Sequence, residues 1–195
     1  MKASSKRPIV IVLIAVIAIL VGFLTDAIWT LIEHKQHPTD YNEIITRYSE
    51  EYNVPKDIIF AVIKVESDFD PDAESSAGAI GLMQMMPSTF EWLTGEEHLN
   101  ENLPERKLRD PEVSIRYGTY YLAYLYRRFD YNWSTAFAAY NAGEGNVGKW
   151  LKNAEYSDGN GNLVHIPFSE TRSYVSKVKK AQKTYHELYP ELYNT

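Results

Sequence analysis

One carboxylate in this sequence sits where an apolar side chain is expected. Residues 55–67 read Pro-Lys-Asp-Ile-Ile-Phe-Ala-Val-Ile-Lys-Val-Glu-Ser. Ile59, Val62, Ile63 and Glu66 fall at i, i+3, i+4 and i+7, which share one helix face. Lys56, Asp57 and Lys64 lie off that row, so Glu66 ends an apolar stripe at the C-terminal end of its helix. Apolar neighbours disfavour the charged form, and the negative end of the helix dipole pushes the same way. A carboxyl kept protonated to higher pH is what a general acid requires, for example to protonate a glycosidic oxygen. The same position also suits a glutamate at a fraying helix end, turned to solvent, and spacing alone leaves both readings open.

The loop that follows narrows the choice. After Ser67 come Asp68, Asp70 and Asp72, then Ser75, Gly78, Gly81 and Gln84, with Gln84 set among Leu82, Met83, Met85 and Met86. Gly78 and Gly81 permit positive φ or close backbone approach. An amide in so apolar a run needs a partner, and local backbone could supply it. The three aspartates lack the glycine and terminal glutamate of a calcium loop and read as solvated loop acids.

These residues need a helical frame. Thr39 or Asp40 is expected to cap a helix over 41–52, and Pro55 suits the first turn of the next. Pro87 and Pro111 mark two more starts, the second capped by Asp110 and reaching about Phe129. Short helices are expected over 133–141 and 146–153, and a long one capped by Ser169 and ending near Leu188. Tyr156 to His165 is rich in turn residues and suits a small hairpin. The fold class is mostly α.

The N-terminal segment stands apart. Lys2, Lys6 and Arg7 precede an apolar run from Ile9 to Leu24, and Asp26 follows it. With Pro8 and Thr25 the uncharged stretch is about 18 residues, roughly 27 Å as a helix. It reads as one transmembrane anchor with the N-terminus in the cytoplasm and the rest outside. A cleaved signal peptide ending near Thr25-Asp26-Ala27 is the alternative, giving a secreted protein. Residues 1–37 are thus a stub, anchor and juxtamembrane linker, and 38–195 one compact helical domain. His34 and His37 in the linker are too few for a metal site.

Composition removes whole function classes. Of 195 residues 45% are hydrophobic and 24% charged, which suits a folded chain. The net charge of −6 argues against nucleic acid. The absence of cysteine removes disulfides, cysteine-ligated metals and thiol nucleophiles, and fits export. Fifteen tyrosines and four tryptophans suit a carbohydrate groove and ordinary packing alike.

Four ordered motifs carry a resemblance. Glu66-Ser67, Ser75 and Gly78-Ala79-x-Gly81-Leu82-Met83-Gln84 form the first. Tyr117-Gly118-Thr119-Tyr120-Tyr121-Leu122 is the second, Ala138-Ala139-Tyr140-Asn141-Ala142-Gly143 the third, and Glu170-Thr171-Arg172-Ser173-Tyr174-Val175 the fourth. Together, over about residues 40–188, they resemble the catalytic domain of the soluble lytic transglycosylases. Ser114 departs from the asparagine common in that family, at a position that supports structure.

The resemblance implies a lysozyme-like fold, goose-type, with a cleft for peptidoglycan glycan strands. It implies cleavage of the β-1,4 bond between N-acetylmuramic acid and N-acetylglucosamine without water, leaving a 1,6-anhydro ring. Glu66 would be the sole catalytic carboxylate. Ser75, Gln84, Tyr140, Asn141, Glu170 and Tyr174 would bind substrate or shape the site, though Tyr140 also suits core packing and Glu170 a buried structural bond. No cofactor, metal or nucleic acid is expected, and the chain is expected to be a monomer. A hydrolytic muramidase and a non-catalytic peptidoglycan-binding scaffold are the alternatives.

Overall fold

The computed structural model describes residues 7–192. Among them there is no extended strand, only isolated bridges. The chain divides between Pro38 and Thr39 into two compact units.

The first unit is one helix, α1 (Arg7–Gln36). From Val10 it is long and apolar enough to cross a membrane, with a mean hydropathy of 2.8. Lys2 and Lys6, whose charges set the expected orientation, lie outside the described residues. The helix does not yield to a linker after Thr25. Ala27, Ile28, Trp29, Leu31 and Ile32 continue it without a glycine or proline, so His34 is helical and His37 follows directly. The ring of His37 turns back onto the Glu33 carbonyl at 3.1 Å.

The second unit holds α2 (Asn42–Tyr52), α3 (Lys56–Glu66), α4 (Pro87–Thr94), α5 (Pro111–Arg128), α6 (Trp133–Ala142), α7 (Glu144–Trp150) and α8 (Ser169–Leu188). Local chemistry sets most boundaries. Pro87 and Pro111 occupy first turns, and Asp110 accepts from the Glu112 amide at 3.1 Å. Asn132 does the same for Thr135 at 3.1 Å.

Four expectations change. Thr39 and Asp40 do not cap α2; Tyr41 holds that position in a left-handed conformation without a side-chain cap. Ser169 is the first helical residue of α8, with Phe168 in the cap position. The helix expected over 146–153 runs Glu144–Trp150, because Gly143 at φ 83° turns the chain early. The expected hairpin reduces to a single bridge, Ser157 with Leu163. There Asp158 accepts from the Asn160 and Asn162 amides at 2.8 and 3.2 Å, closing a turn instead of extending a ladder.

The core is built around α3. It packs on α8, α8 packs on α6, and α5 lies against both α2 and α6. Every residue from Asp57 to Ile63 is buried, so α3 is enclosed all round, not on one stripe only. Each of Ile58, Ile59 and Ile63 contributes about 1.5–3 kcal/mol by leaving water. Asp57 is held by the Gln182 amide at 3.3 Å and by His186 at 3.7 Å, which ties the start of α3 to α8. Burial is the main cause raising its pKa.

Candidate active site

Glu66 is the last residue of α3 and is half-buried. Burial raises its carboxyl to about 7, offset in part by the Tyr174 hydroxyl, which favours the charged form. Neither influence is a second carboxylate. Tyr174, on the inner face of α8, is itself buried, and its hydroxyl makes no hydrogen bond of standard geometry. The negative charge of Glu66 adds to burial in raising the pKa of both Tyr140 and Tyr174. Acid, Tyr140 and Tyr174 are therefore one electrostatic cluster.

The chain leaves α3 by a sharp reversal. Ser67 donates its hydroxyl to the Leu82 carbonyl at 2.8 Å. Asp68 and Phe69 both take left-handed conformations, φ 53° and 67°. Burial of Phe69, whose ring lies 6.3 Å from that of Phe60, offsets that strain. Asp68 pairs with Lys64, and Asp70 accepts from the Asp72 amide at 2.9 Å. All three aspartates are exposed, and the Asp70 carboxylate closes a local turn.

The Gly78–Gln84 segment is then pinned from several sides. The Met83 amide donates to Ser114 on α5 at 3.2 Å, and the Met83 carbonyl accepts from the Tyr140 hydroxyl on α6 at 2.8 Å. Arg109 holds the start of the loop through the Asp72 carbonyl at 2.7 Å and the Glu74 carboxylate at 2.5 Å. Close approach explains two glycines. A Cβ on Gly81 would lie 2.0 Å from the Leu108 carbonyl oxygen, and one on Gly118 would lie 2.3 Å from the Met83 sulfur. The serine that departs from the family pattern thus supplies a backbone bond beneath the site.

Two cavities open beside this cluster. Gln84, Tyr121, Tyr140 and Asn141 line one of about 250 Å³, which Met86 and Thr89 complete. Asn141, Phe168, Ser169, Glu170 and Thr171 line another of about 530 Å³. Asn141 belongs to both. Glu66 borders neither; its link to the smaller one is Tyr140.

The seven residues singled out in the sequence separate by role. Glu66, Tyr140 and Tyr174 come together as one cluster. Gln84, Tyr140 and Asn141 share a cavity, and the exposed Glu170 stands at the rim of the larger one. Glu170 is therefore not a buried structural residue. Asn141 accepts from the Thr171 hydroxyl at 2.7 Å, joining α6 to α8. Both donors of the Gln84 amide bind loop carbonyls, Ala73 and Gly81, each at 3.0 Å, so its Oε1 is the group left to face a ligand. Ser75 lines neither cavity, and its hydroxyl accepts from the Ala79 amide at 2.9 Å. It shapes the loop.

Sequence reasoning passed over Tyr121 and Thr171. The Tyr121 ring packs 5.4 Å from that of Tyr140. Tyr117 and Tyr121, one turn apart, do mark an inward face of α5, but a periodic tyrosine reads equally as core.

Comparison with known proteins agrees with the helical fold. The family described as the transglycosylase SLT domain matches residues 43–162. A soluble lytic murein transglycosylase of Salmonella typhimurium is 38% identical over 156 residues, covering 80% of this chain and 24% of that protein. Membrane-bound lytic murein transglycosylase C of Edwardsiella ictaluri is 31% identical over 170 residues, covering 76% of this chain and 47% of that protein. The crystal structure of the 70 kDa soluble lytic transglycosylase from Escherichia coli matches with a TM-score of 0.72 at 36% identity, over 80% of this chain and 25% of that one. The chain thus spans about a quarter of the length of these soluble relatives. Its fold is the lysozyme-like helical one expected, and the chain belongs to the transglycosylase SLT domain family.

Proposed function

We propose that this chain is a peptidoglycan lytic transglycosylase with Glu66 as its one catalytic acid and base. The supporting observation is a carboxyl raised to about 7, set against Tyr140 and Tyr174, with no second carboxylate among the described residues acting on it. Glycosidases that use water ordinarily employ two carboxylates. Here one suffices if the nucleophile is the substrate's own C6 hydroxyl.

In this reading protonated Glu66 donates its proton to the glycosidic oxygen as the bond to the anomeric carbon breaks. The 2-acetamido oxygen of the same sugar stabilises the developing cation. The Glu66 carboxylate then takes the proton of the C6 hydroxyl, whose oxygen closes on the anomeric carbon. The carboxyl ends as it began, and no water is consumed. Tethering gives the attacking hydroxyl a large effective concentration. Gln84 Oε1 and Asn141 would contact the acetamido groups, Glu170 the strand at the rim, and Ser75 would hold the loop in shape.

In the same reading α1 is a single-pass anchor, with Lys2, Lys6 and Arg7 on the cytoplasmic side and the second unit outside. Its length and apolarity support this. Extraction with alkaline carbonate should leave the chain in the membrane pellet, whereas a cleaved leader would release it.

Digestion of purified sacculi with mass spectrometry tests the chemistry. The expected products carry 1,6-anhydromuramic ends that borohydride leaves unchanged. Glu66→Gln should abolish their release while sacculus binding persists. Reducible ends would identify a hydrolase, and undiminished turnover by Glu66→Gln would remove the assignment.

A further inference from the structure

A third cavity, of about 380 Å³, lies away from the acid. Ser49, Glu50 and Asn53 at the end of α2, Pro55 before α3, Tyr126 near the end of α5 and Trp133 at the start of α6 line it. Glu66 and Tyr140 sit at the other ends of α3 and α6. An 11-residue helix is about 16 Å long, so the two places are separated by roughly that distance.

Its walls have the chemistry of a sugar site. The Tyr126 and Trp133 rings stack at 3.9 Å and 10°. Tyr131 stands edge-on to Tyr126 at 5.4 Å, and is 67% exposed. A large aromatic ring left that open on a loop tip contributes little to the core. Asp130 and Tyr131 hold consecutive left-handed conformations, φ 51° and 60°, and a backbone bond from Tyr131 to the Tyr126 carbonyl at 2.9 Å holds the turn against Tyr126, which lines the cavity. Glu50 and Asn53 are exposed at the mouth and can meet hydroxyl and acetamido groups. The lining carries one charge, the Glu50 carboxylate, and no cation. A phosphate polymer or an anionic headgroup would be repelled there, whereas an uncharged sugar would not.

We propose that this groove is a second glycan-binding site, holding an uncharged N-acetylated sugar strand beside the one being cleaved. The inference rests on the reading of the main cleft as a peptidoglycan site. Tyr126 and Trp133 turn facing sides to each other, and Trp133 also stacks on Phe137 at 5.7 Å, so the exposed Tyr131 ring would pack on sugar C–H surfaces while the polar rim takes the acetamido groups. In a polymer mesh such a site keeps the protein attached between cuts.

The test uses the full chain in detergent with Glu66→Gln, titrated calorimetrically with the N-acetylglucosamine tetramer. Two sites are expected. Adding Tyr131→Gly, which glycine accepts at φ 60°, should weaken one site about tenfold and spare the other, while Tyr131→Phe restores it. In the Glu66-intact chain, Tyr131→Gly should reduce retention on sacculi and leave cleavage of short soluble glycans unchanged. A single site in the parent, or two sites indifferent to Tyr131→Gly, overturns the proposal. Lost retention with an unaltered tetramer titration also overturns it, because the groove would then grip peptide stems. If the unmutated chain fails to cut sacculi while the Tyr131-dependent site persists, the catalytic reading fails and the groove stands.

Discussion

The Tyr140 hydroxyl donates to the Met83 carbonyl at 2.8 Å, across 57 positions of sequence. The Met83 amide in turn donates to the Ser114 hydroxyl oxygen at 3.2 Å. One short stretch of loop is thereby fixed between α5 and α6, and the tyrosine that lines the cavity is fixed with it.

Tyr140→Phe should be costly beyond the loss of a ring substituent. It leaves a carbonyl on a buried residue without its donor, a loss of about 1–3 kcal/mol. Urea denaturation should report a lower midpoint with an unchanged slope. Turnover of sacculi should fall as well, because the loop wall loosens.

Glu66→Gln should stabilise the fold at alkaline pH. A carboxyl raised from its ordinary 4.5 to about 7 retains a proton that the unfolded chain gives up. The stability it contributes is fully present below about 4.5 and is lost as pH rises through about 7, at a cost of about 3 kcal/mol. Glutamine does not titrate. Melting curves at pH 5 and pH 8 should therefore show Glu66→Gln gaining several degrees on the parent at pH 8 and much less at pH 5. An equal difference at both pH values would contradict a raised carboxyl.

The pH dependence of cleavage should follow the same group. A general acid must be protonated at the start, so kcat/KM is expected to decline as pH rises through about 7. Tyr174 favours the charged form of Glu66. Tyr174→Phe removes that effect, so the alkaline limb should move to higher pH. A limb that stays in place or moves downward would separate Tyr174 from the acid.

Two glycines should differ in tolerance. Gly81→Ala puts a Cβ 2.0 Å from a backbone oxygen at φ 80°, and neither partner can yield cheaply. Gly118→Ala meets the Met83 side chain, which can shift, at about 1–3 kcal/mol. Soluble expression and melting temperature should rank parent, Gly118→Ala and Gly81→Ala in that order.

Much of the helical order was readable from residues alone, because periodicity and capping are local. Asp110 before Pro111 announces α5, and Ile59, Val62, Ile63 and Glu66 announce both a helix and its misplaced acid. The Thr39 and Asp40 cap failed because Tyr41 took the left-handed position before α2. The hairpin failed because Asp158 closed its own turn before a second pair could form.

The site divides the same way. Periodicity placed Glu66 as an acid on an apolar row, and the motif resemblance added Tyr140 and Asn141. It did not say that α3 is enclosed on all sides, that Tyr174 presents its hydroxyl to that acid, or that Ser75 spends its own on the neighbouring loop. Those facts depend on α8 packing over α3 and on α5 and α6 closing on Met83. Helix periodicity is written within a few residues, whereas desolvation and hydrogen-bond partnership arise from groups distant in sequence that only packing brings within reach.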